Sequence, residues 1–206
     1  MRHISICIIC IIFAISAQAQ FSFGPKAGFN LAKISFSSAN FKSSFLPAYY
    51  GGAFANYQYN AHWSAQLEVL YAAEGTKEKA TNGQGSGHIN PAYLQVPLLV
   101  QYHLAMGLYA EAGPQIGFLL SIKETYANAT NSIKQYYKST DFRAPFGIGY
   151  QFPSTSKLQG LSVNARYSFS FSKINKDIVG GQDLKSQVIS IGAYYKIPVK
   201  LFGKKK

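Results

Sequence analysis

Six charged residues, Lys26, Glu68, Glu111, Asp141, Arg143 and Arg166, stand on the polar parity of segments in which apolar and polar residues alternate. In LSVNARYSFSF (161–171), Leu161, Val163, Ala165, Tyr167, Phe169 and Phe171 share one parity, and Ser162, Asn164, Arg166, Ser168 and Ser170 share the other. Arg166 therefore projects from the face opposite the aromatics. Counted from the short connection next to each segment, Lys26, Glu68 and Arg166 lie about five residues along and Glu111 about three, a similar height at ~3.3 Å per residue. Two acids and two bases at one level can neutralise one another, and Asp141 and Arg143 form a second group farther along. In a poorly hydrated interior that chemistry is structural ion pairing, and a proton or ion pathway is the less economical reading.

Catalysis would ask for a histidine with a serine or carboxylate beside it. His62 and His103 fall at short turns. His88, in GSGHINP, lies among the longer connections, where Ser86 and Asp183 are the available partners. No spacing requires the three to meet, so a solvated loop histidine is the simpler expectation. GQGSG (83–87) lacks the helix and lysine of a phosphate-cradling loop and reads as a surface loop. The terminal Lys204, Lys205 and Lys206 form a solvated tail. No metal ligand set or cofactor motif emerges, and no cofactor is expected.

The elements that must position these side chains are eight strands, near 21–31, 47–59, 63–74, 92–103, 108–121, 140–152, 161–171 and 185–197. Each is long enough to cross a bilayer at a tilt, which takes about 9 to 11 residues. Connections at 60–62, 104–107 and 153–160 are brief. Those at 32–46, 75–91, 122–139 and 172–184 are long, and they carry nine lysines against four acids. On the apolar parity stand Trp63, Leu67, Val69 and Tyr71, then Leu94, Val96, Leu98, Val100 and Tyr102, then Phe142, Phe146, Ile148 and Tyr150. Gln66, Gln95, Gln101, Gln115, Gly147 and Gly149 lie on the other. Aromatics gather toward both strand ends: Phe21, Tyr57, Tyr59, Trp63, Tyr102, Tyr150, Phe152 and Tyr195 beside the short turns, and Tyr49, Tyr71, Phe118, Phe142, Phe169 and Phe171 toward the long ones. Two aromatic belts predict two membrane interfaces. A soluble lipocalin-like ligand-binding barrel would need the aromatics inside and the glycines and glutamines in water, and the polar parity is too poor in charge for that.

Composition agrees with this reading. The chain has 206 residues, of which 15 are Tyr, 15 Phe and one Trp, and 20 basic residues face 8 acidic ones. The positive charge is scattered through loops without a basic helical stripe or zinc spacing, so nucleic acid is not an expected partner. Met1-Arg2-His3, the apolar run 4–16 and Ala17-Gln18-Ala19 read as a signal peptide over 1–19, leaving one barrel domain over 20–206. Both cysteines, Cys7 and Cys10, leave with it. No later stretch supplies the roughly 20 consecutive apolar residues of a spanning helix.

The expected fold is all-β: an eight-stranded antiparallel up-and-down transmembrane β-barrel with short periplasmic turns and long extracellular loops. FGPKAGFNLAKI, WSAQLEVLYAAEG, YLQVPLLVQY, LYAEAGPQIGFLL and NARYSFSF resemble the PorT-like outer-membrane β-barrel family of Bacteroidota, similar in architecture to the small OmpX and OmpA barrels. The resemblance covers nearly the whole chain after residue 19. It implies a Gram-negative outer-membrane protein, and its founding member assists a secretion system. Two departures are visible. Strand four of the family often carries an acid and a base where this chain has Gln95 and Gln101, and this chain continues past its last strand through PVKLFGKKK. The expected function is a non-enzymatic, structural or interaction role for a monomeric barrel. Its expected partners are outer-membrane lipid, lipopolysaccharide, and proteins of an envelope or secretion complex. The alternative readings are an outer-membrane lipid-modifying hydrolase and the lipocalin-like barrel.

Overall fold

Period-two patterning resolves into antiparallel sheet. The computed structural model describes residues 21–35, 41–80, 86–126, 129–176 and 184–199; the segment expected as a signal peptide, Asp177, Asp183 and the lysine tail lie outside them. The strands are β1 (Phe21–Ser35), β2 (Phe41–Gln58), β3 (Trp63–Ala73), β4 (Thr76–Ala80), β5 (Ser86–His103), β6 (Leu108–Ala112), β7 (Gln115–Tyr126), β8 (Ala129–Ser132), β9 (Thr140–Gln151), β10 (Leu161–Ser170), β11 (Lys185–Tyr195) and β12 (Ile197–Pro198). All named pairings are antiparallel. From β1 they pass to β2, β3 and β5, then to β6 and β7, both of which also pair β9, then to β10 and β11, and β11 pairs β1.

Among the described residues twelve segments stand where eight strands are expected, because three of the long runs are divided by short non-strand links and one short strand is added. Glu74-Gly75 separate β3 from β4, although both pair β5. Gly113-Pro114 separate β6 from β7, where proline has no N–H to donate. Lys196 separates β11 from β12, and both pair β1. β8 is a short hairpin partner of β7. The short connection after β5 holds Met106 at φ 62° and Gly107 at φ 86°; a Cβ on Gly107 would fall 2.4 Å from the Gln151 carbonyl oxygen, so glycine is required there.

The faces are the reverse of those in a soluble protein. Along β3, Trp63, Leu67, Val69 and Tyr71 are exposed while Ser64, Gln66, Glu68, Leu70 and Ala72 are buried. Phe29 is 73% exposed, whereas Gln66, Glu68 and Gln101 are 0% exposed. A lipocalin-like barrel would bury the first kind and wet the second, so that alternative is contradicted. Exposed aromatics stand at both strand ends: Phe21, Tyr57, Tyr59, Trp63, Tyr102 and Tyr195 beside the short turns, and Tyr49, Tyr71, Phe118, Phe142 and Phe171 toward the other end.

The buried face admits bulky rings by keeping glycine opposite them. A Cβ added to Gly192 would lie 2.0 Å from the Tyr50 hydroxyl, and one on Gly149 would lie 2.2 Å from the Tyr109 hydroxyl. The strands also run farther than expected into the long connections, to Ser35 in β1, from Phe41 in β2, from Ser86 in β5 and to Tyr126 in β7. Beyond them the chain folds back. Tyr137 bridges to Asn175, and the Lys138 and Lys176 N–H groups donate to Ile174 and Tyr136 carbonyls. Ile34, Ile89, Tyr93, Leu119, Ile122, Tyr137 and Ile174 form an apolar cluster, with Ile133 and Leu184 packed against it.

Candidate functional site

Beneath that apolar cluster the buried face carries two ion clusters. Lys26 on β1, Glu68 on β3, Glu111 on β6 and Arg166 on β10 come from four strands and meet. Lys26 Nζ donates to Glu68 Oε1 at 2.8 Å. Arg166 donates from Nη1 and Nη2 to the two Glu68 oxygens at 3.0 Å each, and from Nε to Glu111 Oε1 at 3.0 Å. Two carboxylates and two cations balance, as burial of charge demands. The Lys26 ammonium also lies 5.3 Å from the centre of the Tyr194 ring.

Neutral side chains extend the cluster toward the short turns. Gln101 Nε2 donates to Glu111 and its Oε1 accepts from Asn56 and Ser64. Ser64 Oγ lies 2.9 Å from His103 Nε2, and the His62 ring lies 3.3 Å from the His103 carbonyl oxygen. The Ser64 hydroxyl thus has both Gln101 Oε1, at 3.0 Å, and the His103 ring within hydrogen-bond reach.

Asp141 and Arg143 form the second cluster on β9, Arg143 Nε donating to Asp141 Oδ2 at 2.6 Å. The sequence reading missed its third member. Arg143 also grips Glu74 through both carboxylate oxygens, Nη2 donating to Oε2 at 2.9 Å. Glu74 follows Glu68 by six residues and so shares its parity, but its place at the end of the expected strand hides that signal. Gln95 donates to Glu74 at 2.7 Å and Ser170 to Asp141 at 3.1 Å, and the Arg143 guanidinium stacks 5.0 Å from the Tyr93 ring centre. Where the resemblance implied an acid and a base on strand four, Gln95 and Gln101 connect carboxylates from other strands. Among the described residues the second cluster holds two carboxylates against one guanidinium, and Asp141 Oδ1 has no hydrogen-bond partner. Between the clusters is a cavity of about 10 Å³, bordered by Asn30, Tyr50, Gln95, Arg143, Arg166 and Ser190 among others, room for about one water molecule.

His88 is paired in register with Lys77 on one side and Thr125 on the other. Ser86 lies two residues away on the same face, and Asp183 lies outside the described residues. Among the described residues no group of three or more His, Cys, Asp or Glu side chains could hold a metal ion, and no helix is long and apolar enough to cross a membrane.

Residues 16–176 match the family model described as outer membrane protein beta-barrel domain. No match among curated proteins was found. Among solved structures, the chain is similar to the Neisserial surface protein A, with 14% identity, TM-score 0.50, and coverage of 85% of this chain and 97% of that one. Similarity also extends to the attachment invasion locus protein of Yersinia pestis, with 14% identity, TM-score 0.47 and coverage of 86% and 99%. A third is the outer membrane protein OprG of Pseudomonas aeruginosa, with 15% identity, TM-score 0.40 and coverage of 87% and 97%. At such identities the likeness concerns the fold.

Proposed function

Because this chain belongs to the outer membrane protein beta-barrel domain family, we propose that it is a non-enzymatic integral barrel whose eight passes close on themselves in the outer membrane. The passes are β1, β2, β3 with β4, β5, β6 with β7, β9, β10, and β11 with β12. The carrying observation is the reversed faces: an apolar, aromatic-edged surface outside and ion clusters within, the arrangement that a barrel needs in lipid. Beyond the loop-side aromatics, β4, the start of β5 and the end of β7 rise out of the bilayer toward the cell exterior. The short turns face the periplasm.

The domain spans 20–206 after removal of 1–19. The PorT-like branch is supported by the five stretches that resemble it. The barrel acts as a monomeric anchor and interaction surface, in contact with outer-membrane lipid and lipopolysaccharide and accessory to an envelope or secretion complex. Its interior is filled by side chains rather than open as a pore. Purified protein should therefore leave lipid ester and amide substrates unhydrolysed, with His88→Ala indistinguishable from wild type. The decisive test is heat-modifiable mobility. A closed sheet leaves no edge and pairs its backbone internally, so detergent-refolded protein should migrate differently in SDS before and after boiling and show a β spectrum in the far ultraviolet. Identical mobility and no β spectrum would overturn the barrel.

A further inference from the structure

On β4, β5 and β7, where they rise past the aromatic belt, charge is sorted by sign. Glu78 and Glu124 take the inward parity of buried Thr76, Ile89 and Ile122, while Lys77, Lys79 and Lys123 take the outward parity and are exposed. Register sets the outward residues in rows. Lys77 stands beside His88, His88 beside Thr125, and Thr125 beside Thr130 of β8. Below them Asn90 stands beside Lys123 and Lys123 beside Ser132; above, Lys79 stands beside Ser86. Neighbouring strands are ~4.8 Å apart, so Lys77 and Thr125 flank His88 across about 10 Å. The Thr125 and Thr130 hydroxyls are 3.0 Å apart. The face presents three ammonium groups, an imidazole and a field of hydroxyl and amide groups, with no carboxylate among its described residues. It stands on the apolar row Tyr71, Leu94 and Phe118, Asn90 being about 13 Å up the strand from Leu94.

We propose that this face docks the phosphorylated sugar headgroup of an outer-leaflet glycolipid, Lys77 and Lys123 taking phosphate and His88 and the hydroxyl rows taking sugar. The proposal deepens the membrane reading above and rests on it. Charge complementarity requires an anionic occupant. The apolar row directly beneath requires one whose acyl chains lie along Tyr71, Leu94 and Phe118 while its headgroup reaches the lysines, which a free phosphate ion does not do.

The test uses the full barrel in zwitterionic detergent, titrated with bis-phosphorylated lipid A, dephosphorylated lipid A and inorganic phosphate, with bound lipid counted by native mass spectrometry. Wild type should lose about tenfold or more in affinity when the phosphates are removed, as expected for losing charge-assisted contacts. Lys77→Gln combined with Lys123→Gln should lose a similar factor. Lys157→Gln, at the short turn on the opposite rim, should stay within roughly twofold of wild type. Millimolar inorganic phosphate should not displace the lipid. The docking site is overturned if the double variant binds like wild type, if Lys157→Gln is equally weakened, if free phosphate displaces the lipid, or if wild type ignores lipid A. Heat-modifiable mobility is checked first for every protein. A shifted, folded barrel that ignores lipid A removes the docking site alone, whereas an unshifted wild type removes the membrane reading as well.

Discussion

Arg166 joins Glu68 of β3 to Glu111 of β6 through three of its nitrogens, and Lys26 alone cannot balance both acids. Arg166→Met should therefore lower stability by about 3 to 5 kcal/mol. Combining it with Glu68→Gln leaves one acid and one base, and should recover much of that loss; urea midpoints of the two single variants and the double variant in detergent measure it. Additive, near-zero effects would place Arg166 in water and reverse the faces. The second cluster behaves differently, because it has a carboxylate to spare. Asp141→Asn keeps an oxygen for Arg143, removes the excess charge and alters only the carboxylate atom that has no partner among the described residues. It should change stability by less than about 1 kcal/mol, whereas Glu74→Gln, which breaks the two-oxygen grip on Arg143, should cost about 3 kcal/mol or more. A larger loss in Asp141→Asn than in Glu74→Gln would show that the excess charge has been wrongly located.

At the scale of elements, glycine and ring fit together across strands. Gly149→Ala on β9 meets the Tyr109 ring of β6 and should cost about 1 to 3 kcal/mol by overcrowding, whereas Ala165→Gly on the outward face of β10 should cost less than about 1 kcal/mol; equal losses would mean that the ring has room. The extensions that the membrane reading places above the bilayer should respond to pH. Glu78 faces inward on β4, where burial first and the neighbouring Glu124 second raise its carboxyl above the ordinary range. The folded form thus holds the proton more tightly than the unfolded chain, and stability is lost as pH rises above the ordinary carboxylate range. Hydrogen exchange in β4 and β7, corrected for intrinsic rates, should show less protection at pH 8 than at pH 5, and Glu78→Gln should abolish the difference. Strand positions and faces were legible because a one-residue error in parity would have put Glu68 among Trp63, Leu67 and Val69. The apolar cluster at the loop end was not legible, because Ile133, Tyr137 and Ile174 occur without period, and only folding back over Tyr93 and Ile122 gives them a common neighbour. Glu74 lies between: its parity is visible, but the pairing with Arg143, 69 residues away, follows from long-range strand pairing rather than from local pattern.

For the whole molecule, the membrane reading makes lipid the solvent of most of the surface, so transfer to water without detergent should unmask Phe29, Ile148 and Ile191 together and cause aggregation. The pairing of first and last strands has a consequence in time. Ala27 lies opposite Ala193 and Phe23 opposite Ile197, so β1 has its second neighbour only after nearly the whole chain has been made. Until then both ends of the growing sheet are open templates for other chains. The final joining pairs residues at least 150 apart in sequence, the separation of Ser35 from Lys185, and is the slow, non-local step of assembly. A nascent chain that halts before Lys185 has β1 and β10 both waiting, and a protein that crosses an aqueous compartment in that condition needs an escort holding those two edges apart from every other edge it meets.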